Sequence, residues 1–160
     1  MKTTAIIPGS FDPITVGHFS LVSRVAEAFD NVTVLVCHNF DKTYTFSPNE
    51  RFEIAEKAFE KLPNVKVELY DGWLYEYLTA HKPCVLVKGV RDEKDFVYEK
   101  KMADFNFEKS GVETLFMISE PELCDTSSTA VRCLLEQKGD WKRLIPQNAQ
   151  KIVEKFYAEK

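Results

Sequence analysis

Apolar residues in this chain gather in short dense runs, separated by stretches where they recur every three or four positions. The runs are Thr4–Ile7, Val32–Cys37, Val65–Leu69, Cys84–Lys88 and Thr114–Ile118. Several are rich in Val and Ile and apolar on both faces, as buried parallel strands are. Between them the period changes to that of a helix. After His18, residues Val22, Val25, Ala26 and Phe29 share one face. Ser47-Pro48-Asn49-Glu50 is a helix start: Ser at the N-cap, Pro at the first position, Glu closing a capping box. Phe52, Ala55 and Phe59 give that helix an inner face. Helices are also predicted over Leu74–His81, Asp92–Lys109 and Ser128–Gln137, the last with Val131, Leu134 and Leu135 on one side. A closing helix, about 147–159, follows Pro146 and turns Ile152, Val153 and Phe156 inward.

Strand–helix alternation of this kind builds a parallel sheet with right-handed crossovers. The expected fold is therefore α/β, a single-domain, Rossmann-like, doubly wound five-stranded sheet with helices on both faces, spanning residues 1–160. No linker or internal repeat divides the chain. In such sheets ligands bind beyond the carboxyl ends of the strands, where the strand order reverses. The residues that follow each strand are the ones to read for chemistry.

Composition narrows the class. A chain of 160 residues, 44% hydrophobic and 29% charged, is long enough to bury a core without staples. The net charge of -4 argues against a nucleic-acid binder and leaves room for a local phosphate site. Cys37, Cys84, Cys124 and Cys133 are far apart, form no CxxC pair and suit neither a zinc site nor a disulfide framework. Free thiols imply a reducing compartment. The N-terminal apolar run is too short for a signal peptide, and no stretch reaches the length of a membrane span, so a cytoplasmic protein is expected.

After the first strand comes Pro8-Gly9-Ser10-Phe11-Asp12-Pro13-Ile14-Thr15-Val16-Gly17-His18. The glycines allow close backbone approach to a ligand, and the helix start that follows offers free N–H groups and a positive dipole end to a phosphate. His18 and the Ser10 hydroxyl stand there as donors. The plainer reading is a strand–turn–helix connection capped by Thr15. After the second strand comes Asn39-Phe40-Asp41-Lys42, where a lone Lys is ordinarily a solvated residue. After the third comes Asp71-Gly72-Trp73-Leu74, where the plain reading of Leu74 is a residue closing the core. Lys88-Gly89-Val90-Arg91 sets two cations around a glycine, an anion site, or else a helix start with Arg91 paired to Asp95. After the fifth, Thr126-Ser127-Ser128-Thr129 is an N-cap in the bland account.

The whole string adds more than its parts. Thr15-Val16-Gly17-His18 resembles the (H/T)xGH signature of the nucleotidyltransferase superfamily, and PGSFDPIT is similar to the same loop in the phosphopantetheine adenylyltransferases. KGVR followed by DFVYE resembles that family's next block, with Lys88 where the family has Arg. The likeness runs in order over essentially the whole chain. It implies transfer of AMP from ATP to 4'-phosphopantetheine, giving dephospho-coenzyme A and pyrophosphate. His18 would then bind the ATP phosphates and stabilise the transition state, with Lys42 and Arg91 as its catalytic companions. ATP contacts carry over to Ser10, Phe11, Gly89, Val90, Arg91, Glu99 and the segment Leu123, Cys124, Asp125, Thr126, Ser127, Ser128 and Thr129. Acceptor contacts carry over to Ser10, Lys42, Leu74 and Lys88. Mg²⁺ is implied as a cofactor bound mainly through the phosphates, with no protein metal site, and a homohexamer is implied as the assembly.

Two rivals share the loop or the fold. Another adenylyltransferase or cytidylyltransferase, such as one acting on nicotinate mononucleotide, differs in its acceptor pocket; Lys42 and the KGVR block distinguish this chain. A non-catalytic nucleotide-binding module would dispense with the charged contacts, which His18, Lys42, Lys88, Arg91 and Glu99 retain.

Overall fold

All five apolar runs become strands of one parallel sheet, ordered β3-β2-β1-β4-β5. The computed structural model describes residues 3–38 and 42–160. Its strands are β1 (Thr4–Gly9), β2 (Asn31–Cys37), β3 (Val65–Tyr70), β4 (Val85–Val90) and β5 (Thr114–Ile118). The helices are α1 (Val16–Ala28), α2 (Pro48–Phe59), α3 (Leu74–Ala80), α4 (Glu93–Ser110), α5 (Ser128–Glu136) and α6 (Gln150–Ala158). From β1 the chain steps outward to β2 and β3, then returns across β1 to β4 and β5. The strand order thus reverses between β1 and β4, and a crevice opens beyond their carboxyl ends.

Alternation along the strands divides the core in two. Ala5, Ile7, Val32, Val34, Val36 and Val87 face α1, α2, α5 and α6, meeting Val22, Ile54, Val131 and Val153. Ile6, Leu35 and Leu86 face the other way, onto Tyr77 and Leu78 of α3. Helix α4 lies beside α3 and β4 on that second face, yet of its residues only Asn106 and Ser110 are buried. Phe96, Val97, Tyr98, Met102, Phe105 and Phe107 remain exposed along it, with Ile118 of β5 70% exposed at the sheet edge.

Two strands run further than their apolar pattern indicates. Pro8 and Gly9 pair with Leu35 and Val36. Gly89 and Val90 pair with Met117 and Ile118. These residues therefore stand on the strands and not in the loops beyond them, because ladder hydrogen bonds hold polar and glycine positions that hydrophobicity does not mark. Cys84 lies one residue before β4 instead of within it. The closing helix begins later than expected: a short 3-10 turn, Gln147–Ala149, follows Pro146 and leads into α6. The α2 capping box is as read, with Glu50 N–H donating to Ser47 Oγ at 3.2 Å and Ser47 N–H donating to Glu50 at 2.6 Å.

Candidate active site

A cavity of about 320 Å³ fills the crevice between β1 and β4. Its walls bring together residues far apart in sequence: Phe11, Gly17 and His18 after β1, Lys88, Gly89 and Arg91 at the end of β4, and Glu99 from α4. Leu123, Thr126, Ser127 and Ser128 close it from the segment that leads into α5.

His18 is the third residue of α1 and part of its cap. The Thr15 N–H donates to His18 Nδ1 at 3.0 Å, while the His18 N–H donates back to Thr15 Oγ1 at 3.4 Å. This is a capping box with His in the place Glu or Gln usually takes. Because Nδ1 accepts, the ring proton of the neutral imidazole resides on Nε2. Burial, with help from the nearby Arg91 and Lys88 charges, pushes the His18 pKa down to about 4. At neutral pH the ring is an uncharged donor. Phe11 steadies it, the two rings meeting edge-on with centroids 5.1 Å apart.

Two cations of the crevice, Arg91 and Lys88, are held by carboxylates of α4. Arg91 donates through Nε and Nη2 to Asp95 at 2.7 and 3.2 Å, the i,i+4 pairing that the sequence allowed. That bond holds the Asp95 carboxyl below the usual carboxylate range and raises Arg91. Lys88 Nζ stands 3.2 Å from Glu99 Oε2, and both side chains are largely shielded from solvent. Pairing with Asp95 does not remove Arg91 from the crevice, whose wall it forms.

A second cavity, of about 630 Å³, adjoins the first over β1 and β4. Pro8, Gly9, Lys88 and Glu99 border both. Ser10, Lys42 and Leu74 line the second, so each residue carried over as an acceptor contact borders this space. Leu74 also packs against the core cluster under α3, so the two readings of it are compatible. Asn39, Phe40 and Asp41, read beside Lys42, lie outside the described residues.

Four sequence-predicted contacts do not line either cavity. Val90 is buried in the sheet, Cys124 donates its thiol to Glu120 O, and Thr129 Oγ1 accepts from Arg132 at 3.0 Å. Asp125 likewise stands off the cavity walls. The hydroxyls that do line the crevice have local partners. Thr126 donates to Leu123 O, Ser128 donates to Pro13 O, and Ser127 caps α5 by accepting from Ala130 N–H. What this segment presents freely is the N-terminal backbone of α5, an anion-binding end. It comes close because Gly17 has no side chain: a Cβ there would stand 2.5 Å from Thr126 Oγ1.

Sequence reading missed two residues that hold the site together. Asp12 is buried, and its carboxylate accepts from Thr45 N–H and Phe46 N–H, each at 2.9 Å. Arg51, on the inner face of α2, is fully buried. A charged residue on the apolar face beside Ile54, Ala55 and Ala58 was the available signal. Among the described residues, no three of His, Cys, Asp and Glu cluster as a metal site, and no helix is long and apolar enough to cross a membrane.

Comparison with known proteins agrees with this geometry. The Cytidylyltransferase-like family matches residues 6–134. The phosphopantetheine adenylyltransferase of Phocaeicola vulgatus is 39% identical over 143 residues, 89% of this chain and 95% of its own. That of Corynebacterium efficiens is 38% identical over 156 residues, 97% of this chain and 98% of its own. Among solved structures, a bifunctional NMN adenylyltransferase/ADP ribose pyrophosphatase from Francisella tularensis superposes with a TM-score of 0.69 at 13% identity. It is matched over 99% of this chain and 53% of its own, so this chain spans about half of that protein, and the likeness is one of fold. With its crevice at the strand-order reversal and relatives matched nearly end to end, the chain belongs to the phosphopantetheine adenylyltransferase family.

Proposed function

We propose that this protein transfers the AMP part of ATP to 4'-phosphopantetheine, releasing pyrophosphate and forming dephospho-coenzyme A, a step of coenzyme A biosynthesis. The observation that carries this reading is the ridge shared by two cavities: Lys88 borders both, with His18 and Arg91 on one side and Lys42 on the other. Two phosphorylated ligands laid in those cavities would meet there.

The acceptor phosphate is already anionic at neutral pH, so its oxygen attacks the α-phosphorus with no general base. One P–O bond forms to the acceptor, and the bond from the α-phosphorus to the pyrophosphate oxygen breaks. The obstacle is repulsion between anions, and positioned donors relieve it. Lys42 and Lys88 hold the acceptor phosphate, Ser10 stands between the two ligands, and Leu74 lies along the pantetheine arm. His18, through Nε2–H, and Arg91 hold the triphosphate together with the Ser127–Ser128 backbone. Phe11, Gly89, Glu99, Leu123 and Thr126 complete the ATP site. Mg²⁺ entering with the nucleotide would supply neutralisation of phosphate charge and would be held mainly by the phosphates, because Asp95 and Glu99 are paired with Arg91 and Lys88. The exposed apolar face of α4 supports assembly, a hexamer on the family likeness. Four free thiols support a cytoplasmic setting.

Pyrophosphate release from ATP, measured with phosphopantetheine, with nicotinate mononucleotide and without acceptor, tests the reading. Release with phosphopantetheine alone is expected. Equal release with nicotinate mononucleotide, or none with any acceptor, overturns it.

A further inference from the structure

We propose that Arg51 is a positioning residue for this reaction, acting on His18 through Ser10 and Phe11. The inference rests on the function proposed above and extends it to a side chain that touches neither ligand cavity. Arg51 rises from α2 beneath the carboxyl ends of β1 and β2. Its Nη1 donates to Ser10 O at 2.5 Å and to Cys37 O at 2.9 Å, and its Nη2 donates to His38 Nδ1 at 3.0 Å. The guanidinium also lies 4.1 Å from the centre of the Tyr44 ring. None of these three hydrogen bonds goes to a carboxylate, and Nε has no hydrogen-bond partner among the described residues.

A buried cation satisfied this way is a costly means of filling a core position, because an apolar side chain of similar size would pack there without desolvating a charge. What the guanidinium supplies is a fork. The ends of β1 and β2, which both border the second cavity, are fastened to one rigid, planar group. On the β1 side the path to chemistry is short. The Ser10 carbonyl is pinned by Arg51, and the next residue, Phe11, has a left-handed backbone (φ 49), uncommon for a non-glycine residue. That turn lays the Phe11 ring over Gly9, where a Cβ would come within 2.7 Å of it, and brings its edge against the His18 ring. Loosening Ser10 frees the Phe11 turn, and with it the imidazole that Thr15 orients from the other side.

The test is a double-mutant cycle on turnover. Arg51→Lys keeps the charge and loses the fork; it is expected to lower kcat at least tenfold while circular dichroism shows a folded protein. In a His18→Ala background the same change is expected to cost less than twofold, since the group it positions is gone. A purely structural Arg51 would cost the same in both backgrounds, and that result, or an undiminished kcat in Arg51→Lys alone, overturns the inference. Should Arg51→Lys fail to fold, Phe11→Leu interrupts the same path one step later, and unchanged turnover in it is equally fatal. Full turnover in His18→Ala alone would instead bring down the function reading itself.

Discussion

The Thr15 N–H reaches the Nδ1 of His18 at 3.0 Å, so one hydrogen bond both caps α1 and sets the tautomer of the ring. The cap consumes the nitrogen nearer the backbone and leaves Nε2–H for the crevice. A neutral donor held in place by its own helix needs no reorganisation when charge develops on the leaving pyrophosphate. His18→Ala is therefore expected to lower kcat at least a hundredfold, consistent with about 3–4 kcal/mol for loss of one such donor. Steady-state pyrophosphate release measures it, with circular dichroism showing the fold retained.

The depressed His18 pKa also ties stability to pH. In the unfolded chain the imidazole takes up a proton near its ordinary 6.5, whereas in the folded protein it does so only near about 4. Between those values the unfolded state binds more protons, so stability falls as the pH is lowered through that window and is unaffected above it. The loss amounts to about 3 kcal/mol at most. His18→Gln keeps an acceptor for the Thr15 N–H but cannot titrate. Urea melts at pH 7 and pH 4.5 should show a smaller acid loss in the variant than in the parent.

Gly17 and Thr126 are matched by subtraction. A methyl group at position 17 meets the Thr126 hydroxyl at 2.5 Å, so Gly17→Ala must push the entrance of α5 away from α1. The apparent KM for ATP is expected to rise about tenfold, an effect of roughly 1.4 kcal/mol, with a smaller change for the acceptor. Adding Thr126→Ala removes the obstructing oxygen and should restore much of the loss. An ATP KM unchanged in Gly17→Ala would mean that this approach does not shape the nucleotide site.

How far the sequence discloses this site depends on the kind of contact involved. Val32–Cys37 and Thr114–Ile118 declare their strands because burial on both faces demands apolar residues at every position. His18, Arg91 and Ser127 could be placed because each follows a strand whose end lies at the crevice. Gly89 reads as a loop residue in the sequence because ladder hydrogen bonds leave no hydrophobic trace. Arg51 and Asp12 escaped notice for a different reason. Each works by binding backbone groups of another segment, Ser10 and Cys37 for one, Thr45 and Phe46 for the other. Such contacts depend on which chain ends meet in space; the apolar spacing around Arg51 marks its burial but not its partners.

Lys88 stands where the motif resemblance implies an arginine, and its partner shows how the ammonium is held. With Nζ 3.2 Å from Glu99, the ammonium is a single point charge drawn toward α4, yet it borders both cavities. Lys88→Ala should raise the acceptor KM at least tenfold and alter the ATP KM much less. Lys88→Arg should retain activity, because a guanidinium can keep the Glu99 contact and still present a second donor. Acceptor and ATP titrations of both variants check this; equal losses for the two substrates would remove Lys88 from acceptor binding.

Helix α4 poses the opposite problem, an apolar surface that the fold leaves uncovered. Val97 is 48% exposed, Phe107 49% and Ile118 70%, and only Asn106 and Ser110 of the helix are buried. An isolated chain gains nothing by presenting so many large apolar side chains to water, whereas a second copy laid over them would recover about 25 cal/mol for each Å² of apolar surface removed. The protein is expected to sediment as an oligomer. Val97→Glu combined with Phe107→Glu, which changes no residue lining either cavity, should shift it toward monomer. Analytical ultracentrifugation of the parent and the double variant decides the matter, and a parent that sediments as a monomer at micromolar concentration leaves the α4 surface without the role assigned to it.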